Sequence, residues 1–329
     1  MLNNTEIRIN DKEIYWCNFF LLFNRNISKY GMGLIWIVGN IGSTMNCFIF
    51  LQSNLRKNPC VMYFLASSAS QFLTFNFALL TRILQFGYNI QAVNIYLWFC
   101  KIRYYLFYVF VAIPRYYIIL ASIDRYFASS SDINRRRWSS PKIAIRLIIG
   151  NSLFWCLMYI QVLIFYQIDN NDCSFRNGIY GMFFSIYIII DSGIFPLAIM
   201  LICGLLTINN IRKIKNRIRP LRVVVVIQPV RLARISRKDL QFSRMLLNQI
   251  CIWIILNLIN PCYLLYRTLT DNIIKSPLRL TIELFINNMS YFLIYLGFSL
   301  TFFVYTLSSS MFRREFYRLI RRKLLHHFI

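Results

Sequence analysis

The chain has 329 residues, 57% of them hydrophobic and 17% aromatic, with 37 Lys and Arg against 12 Asp and Glu for a formal net charge of +25. That apolar share, with a mean hydropathy of +0.50, is above what a soluble globular domain carries and excludes that class, because such a chain needs lipid as its solvent. The basic excess does not read as a nucleic-acid surface, since its residues lie between long apolar blocks instead of on one polar face.

Stretches free of Asp, Glu, Lys and Arg run over 30–55, 58–81, 147–168, 245–266 and 284–312, and each exceeds the roughly 20 residues of a transmembrane helix. Two further candidates are interrupted: 104–127 by Arg115 before it reaches Asp124, and 177–211 by Asp191. The predicted fold is an all-α membrane protein, a seven-transmembrane helix bundle over 30–307 with spans near 30–53, 60–84, 97–128, 142–166, 178–207, 242–267 and 281–307. Residues 1–29 precede it, and 308–329 follow as a short amphipathic helix and tail.

Orientation follows from basic residues in the loops, which stay on the cytoplasmic side. Arg56 and Lys57, Arg135 to Arg137 with Lys142, the basic residues of 208–244, and Arg313 to Lys323 all fall on one side of a seven-span chain. The predicted location is therefore the plasma membrane, multi-pass, with the amino terminus extracellular and membrane lipids as neighbours. The apolar patch from Ile14 to Phe23 is short, contains Asn18 and lacks a small-residue cleavage site, so it is not expected to be a signal peptide. Asn3-Asn4-Thr5 is an N-glycan acceptor sequence on the outer side, which makes Asn3 the expected glycosylation site. Asn26 and Asn288 fit the same pattern but lie close to a span.

Nine cysteines are scattered, with no CxxC and no His at a zinc-binding spacing, so no metal or other cofactor is expected. Cys17, Cys100 and Cys173 fall on the oxidising side. A bridge from Cys100 to Cys173 would tie the 167–178 loop over the mouth of the bundle; two unrelated thiols are the alternative. After the last span, Phe312, Phe316, Leu319, Ile320 and Leu324 recur at helical spacing opposite Arg and Lys, as in a helix lying on the inner membrane surface.

One landmark per span carries a resemblance to rhodopsin-like (class A) G-protein-coupled receptors over nearly the whole chain. Gly39-Asn40 stands in span one, Cys100 and the triplet Asp124-Arg125-Tyr126 bound span three, and Trp155 stands in span four. Pro196, Pro261 and Tyr305 follow in spans five, six and seven. Cys100 and Arg125 are 25 residues apart, about 37 Å of helix, which spans the membrane from headgroup to headgroup. The resemblance implies Arg125 as the G-protein contact, held at rest by Asp124, with Tyr126 and Tyr305 part of the activation switch. The chain departs from the family pattern at Ala69 (usually Asp), Ile259 (usually Trp), Gly204 (usually Tyr) and Thr301-Phe302 (usually Asn-Pro), and Gln241 stands at the usual acidic position of span six. This resembles a divergent member.

In bundles of this type the position of Arg115 faces the region of Pro196, which implies a pair between Arg115 and Asp191; separate partners for each are the alternative. The ligand cavity implied by the resemblance is lined by Tyr104, Phe107, Tyr108 and Val111 of span three, Cys262, Tyr263 and Tyr266 of span six, and Tyr291 and Tyr295 of span seven. Phe107 stands where amine receptors keep an Asp, which disfavours a biogenic amine and leaves a peptide, a lipid or a small molecule as extracellular ligand. The function implied is a receptor that activates a heterotrimeric G protein. A multi-span transporter or ligand-gated channel is the alternative, weakened by the absence of an internal repeat. No grouping of nucleophile, base and orienting group points to an enzyme.

Overall fold

The computed structural model describes residues 11–169, 172–176, 178–218, 237–270 and 273–327. Helix α1 (Asp11–Asn26) runs through a π-helical turn (Ile27–Gly31) into α2 (Met32–Phe50), so the boundary expected at residue 30 falls inside one continuous helical run. Packing explains the extension. Phe20 and Phe23 set their rings 5.4 and 5.6 Å from Phe285, and the buried Asn24 and Ser28 accept from the Asn288 amide at 2.6 and 2.8 Å. Asn3 lies outside the described residues, as does the "RPLRVVVVIQPVR" stretch of the 208–244 linker.

Helix α3 (Pro59–Leu73) starts at Asn58, whose side chain accepts from Cys60 N, with Pro59 at the first helical position where its missing N–H costs nothing. It continues through π turns at Thr74–Leu79 and Ile83–Gly87, with the single turn α4 (Leu80–Arg82) between them. After α5 (Ala92–Ile95) comes α6 (Leu97–Ala128), 32 residues long with Pro114 in its interior. Proline has no N–H for the carbonyl four residues back, here that of Phe110. Thr74 supplies the donor from the neighbouring helix, Oγ1 to Phe110 O at 2.5 Å, and Ser67 donates to Pro114 O at 3.1 Å. A proline inside an apolar span thus keeps its backbone satisfied.

The chain proceeds through α7 (Ile133–Arg136), α8 (Pro141–Met158) and α9 (Ile160–Phe165). A hairpin of β1 (Tyr166–Asp169) and β2 (Asp172–Phe175) follows, antiparallel with Ile168 opposite Cys173. Helix α10 (Ile179–Ile189) passes through a π turn (Ile190–Ile194) into α11 (Phe195–Ile218). The last elements are α12 (Arg237–Asn257), α13 (Ile259–Leu269), α14 (Pro277–Ser299), α15 (Thr301–Ser308) and α16 (Ser310–His327). The break between α12 and α13 precedes Pro261, which therefore sits in a first turn.

Among the described residues, the runs Asp11–Phe50, Leu97–Ala128, Pro141–Phe165, Ile179–Lys213 and Leu240–Arg267 are long and apolar enough to cross a membrane, and α14 with α15, bent by 40°, makes a sixth. The run 59–87 is too polar to join them. Ser67, Gln71, Thr74 and Asn76 lower its hydropathy, and each finds a partner, Gln71 on Ser67 at 3.3 Å and Asn76 on Asn40 at 2.7 Å. Leu34, Ile37 and Ile41 of α2, Leu153 and Leu157 of α8, and Ile202 and Leu205 of α11 point outward and are exposed. A soluble protein rarely shows such an apolar surface, whereas lipid tails accept it without cost. This is the make-up of an all-α, multi-pass membrane protein.

The interior aromatics include Phe50, Phe64, Tyr305 and Phe312, all fully buried in one cluster. Phe312 belongs to α16, and Phe316 lies 5.5 Å from Phe302, so the apolar face of α16 packs back onto the bundle. Arg313 reaches the carbonyls of Thr306 and Leu307, both at 3.0 Å, and satisfies the end of α15.

Candidate functional site

At one end of the bundle Cys100, in the first turn of α6, is joined to Cys173 of β2 with their Cα atoms 5.9 Å apart. Asn94 Oδ1 accepts from Cys173 N at 3.1 Å, a second tie on the hairpin. Beneath it lies a cavity of about 210 Å³ whose lining includes Tyr104, Phe107, Tyr108 and Tyr291 together with Arg82, Arg103, Tyr166, Phe175 and Arg267. Its walls are aromatic: Tyr104 and Tyr166 have ring centroids 4.8 Å apart, Phe107 and Tyr291 5.5 Å. The Tyr108 and Tyr166 hydroxyls share a hydrogen bond of 2.9 Å.

The rest of the expected cavity set is distributed elsewhere. Val111 lines a deeper void of about 30 Å³ beside Arg115 and Asp191. Cys262, Tyr263 and Tyr266 line an apolar depression of about 390 Å³ with Ile259 and Ile286, where Cys262 is exposed. Tyr295 is fully buried among Met32, Phe75 and Phe107. The spacing that put these residues on one helical face says nothing of which neighbour that face meets.

Arg82 and Arg103 were absent from the expected set. Both are buried, at 5% and 4% exposure. Arg82 Nε donates to Asn288 Oδ1 at 3.0 Å, and its guanidinium lies 4.0 Å from the Tyr291 ring centre. Arg103 Nε donates to Thr81 Oγ1 at 3.3 Å, its guanidinium stands 4.5 Å from the Tyr104 ring, and its Nη2 has no partner. The available signal was that these two arginines close off apolar runs at 58–81 and 104–127.

In the middle of the bundle, Arg115 Nη1 is 3.5 Å from Asp191 Oδ2, each side chain 4% exposed. Asp191 sits in the π turn between α10 and α11, and its two carboxylate oxygens accept from Tyr116 at 2.7 Å and Tyr159 at 2.6 Å. Arg115 also donates to Asp191 O at 3.3 Å, and its guanidinium lies 5.6 Å from the Trp253 ring. A buried carboxylate with one cation and two hydroxyl donors has the partners its charge requires.

At the opposite end from the disulfide, Arg125 is buried at 3% exposure and donates to Asp124 Oδ2 from Nε at 3.1 Å and from Nη2 at 2.5 Å. Its Nη2 also donates to Asn58 Oδ1 at 3.3 Å, while Ser139 donates to Asp124 Oδ1 at 2.7 Å. Tyr126 OH accepts from Arg135 at 3.2 Å. Tyr305 is fully buried and donates to Gln249. Gln241 bonds the start of α16, its carbonyl oxygen accepting from Ser309 at 3.0 Å and Met311 N at 2.9 Å.

Of the remaining landmarks, Asn40 bridges α2 to Asn76, and Trp155 is buried with its ring 4.2 Å from Tyr116. Pro196 follows the π turn, and Pro261 comes so near that turn that a Cβ on its Gly193 would stand 3.0 Å from it. Two departures turn outward. Ala69 is exposed while Ser67, Ser68 and Gln71 are buried, and Ile259 is 44% exposed while Trp253 is the buried indole near Arg115. No family model matches the chain, and no curated protein matches it.

Proposed function

We propose that the chain is a seven-span receptor that takes an extracellular ligand at the disulfide-closed end and passes the signal to a heterotrimeric G protein at the other. In this reading the polar run 59–87 is span two, which brings the count to seven. Its 29 residues give about 44 Å of helix, and its hydroxyl and amide groups bond within the bundle. The amino terminus is outside, because the basic segments at 56–57, 135–142, 212–244 and 313–323 share one side.

The observation that carries the proposal is α6. One unbroken helix joins the cavity under the Cys100–Cys173 bridge to the buried Asp124–Arg125 pair. A ligand that binds one packing of this bundle better than another shifts the population between them, and the end bearing Arg125 reads that shift. Release of Arg125 from Asp124 would free a guanidinium for a G-protein partner.

The test expresses the full chain with sensors of heterotrimeric G-protein activation and a ligand library, comparing wild type with Arg125→Ala at matched surface expression. The expected result is ligand-dependent activation in wild type and its loss in Arg125→Ala with ligand binding retained. Ligand-dependent ion flux in cells without G proteins would overturn the receptor reading in favour of a channel.

A further inference from the structure

Among the described residues the cavity beneath the disulfide is lined by cations without a facing carboxylate. Arg82 and Arg103 are buried in its wall, and Arg267 stands at it with its guanidinium 5.5 Å from the Phe175 ring. Among the described residues no carboxylate forms a salt bridge with any of the three. Glu283, the acid of α14 at this end, is already engaged by Lys275 at 2.7 Å, Arg279 at 3.1 Å and the Tyr266 hydroxyl at 2.8 Å. Asp169 of the hairpin is exposed.

A buried cation is costly unless paired. The aromatic faces beside Arg82 and Arg103 and the single hydrogen bond at each Nε offset part of that cost, but neutral partners supply no opposite charge. Two features mark a built recognition site. Asn288 is fixed by Asn24 and Ser28, so Arg82 is aimed by a network of three side chains. Arg103 lines the cavity, and its buried Nη2 has no partner. Guanidinium groups present forked donors that match the oxygens of a carboxylate or a phosphate, and Tyr104, Phe107 and Tyr291 provide flat apolar surface for the body that carries them.

We propose that this cavity binds a compact organic anion, an aromatic or otherwise apolar body bearing a carboxylate or phosphate that Arg82 and Arg103 clamp, with Arg267 drawing it in. The proposal names the ligand class for the receptor reading and rests on that reading only for the side of the membrane from which the anion enters. A cationic ligand is rejected by like charge, which agrees with Phe107 at the place of an amine-binding acid.

The test is direct binding to the full-length chain in zwitterionic lipid nanodiscs. Phenylbutyrate, phenylbutanol and phenylbutylamine share one body and differ in charge; phenyl phosphate tests the alternative headgroup. Phenylbutyrate or phenyl phosphate should bind at least about tenfold more tightly than the alcohol, with the amine weakest, and the tighter of the two anions identifies the headgroup. Arg103→Gln should abolish the preference for the anion. Where that variant does not fold, Arg267→Gln, at an exposed position, should reduce it, while Arg279→Gln leaves it unchanged.

Binding of the alcohol or amine as tight as that of both anions, no binding by any of the four probes, or an anion preference that survives in folded Arg103→Gln would each overturn the proposal. The two readings fail separately. Anion binding without activation of any G protein removes the receptor function and leaves the anion site, whereas activation by neutral or cationic ligands alone does the reverse.

Discussion

Asp191→Asn removes a charge and almost no volume, which makes it the sharpest probe of the bundle's interior. The wild-type carboxylate meets Arg115 at 3.5 Å, Tyr116 at 2.7 Å and Tyr159 at 2.6 Å, with both charged side chains 4% exposed. After the substitution Arg115 loses its counter-charge and is left with neutral groups, among them the backbone carbonyl of residue 191 at 3.3 Å and the Trp253 ring at 5.6 Å. Breaking a buried pair by removing one partner costs about 3–5 kcal/mol, against a total stability of roughly 5–15 kcal/mol for a typical domain. Arg115→Gln makes the converse error and leaves the carboxylate to two tyrosines. Each single variant should therefore lose most of its surface-delivered protein and unfold earlier on heating in detergent. The double variant Arg115→Gln/Asp191→Asn buries no charge, so it should recover, with a favourable coupling of about 1–3 kcal/mol in the double-mutant cycle. Strictly additive losses, or a double variant no better than the worse single one, would refute the mutual pairing.

The Cys100–Cys173 bridge closes 73 residues, and loop-closure entropy assigns it about 4 kcal/mol. Cys100→Ser, Cys173→Ser and the double substitution should lower thermal stability by the same amount, measured with and without reductant; unequal losses would mean that a thiol, not the bridge, matters. Glycine substitutions should split by their surroundings. A Cβ at Gly39 would stand 2.4 Å from the ring of fully buried Phe75, so Gly39→Ala should cost about 1–3 kcal/mol. A Cβ at Gly150 meets nothing within 4 Å, so Gly150→Ala should be neutral or stabilise α8 by up to about 1 kcal/mol in the same unfolding assay.

The spans were legible because charge is excluded from lipid, so 30–55, 147–168 and 245–266 stand out as runs without it. The helix before residue 30 was not, because α1 holds Asn18, Asn24 and Arg25, and the buried Asn24 finds its partner in Asn288, more than 250 residues away. Rotation was equally hidden. In "LASSASQ" a shift of one residue turns a side chain by about 100°, which is the difference between exposed Ala69 and buried Ser68. The π turns at 74–79, 83–87 and 190–194 each lengthen a turn and shift every later face; nothing in the local pattern of "TFNFAL" or "IDSGI" announces them.

The same limit explains why the candidate site could be read only in pieces. Aromatic spacing identified Tyr104, Phe107 and Tyr108 as one face of α6, yet what gives that face its chemistry comes from distant segments. Tyr108 bonds Tyr166 at 2.9 Å at the cavity wall and lies with its ring 5.3 Å from that of Tyr159. Tyr159 in turn donates to Asp191, and Asp191 holds Arg115. Four segments from 108 to 191 thereby connect the cavity to the buried ion pair through tyrosine contacts that no single stretch of sequence contains. Arg82 and Arg103 follow the same rule: at the ends of apolar runs each resembles a helix terminus meeting water, and only the fold turns both inward to one cavity. A charge in a membrane protein thus has to be judged by whether the assembled bundle gives it a counter-charge. Arg115 and Arg125 have one; Arg82 and Arg103 have none among the described residues, and that left-over charge is the feature the proposed ligand answers.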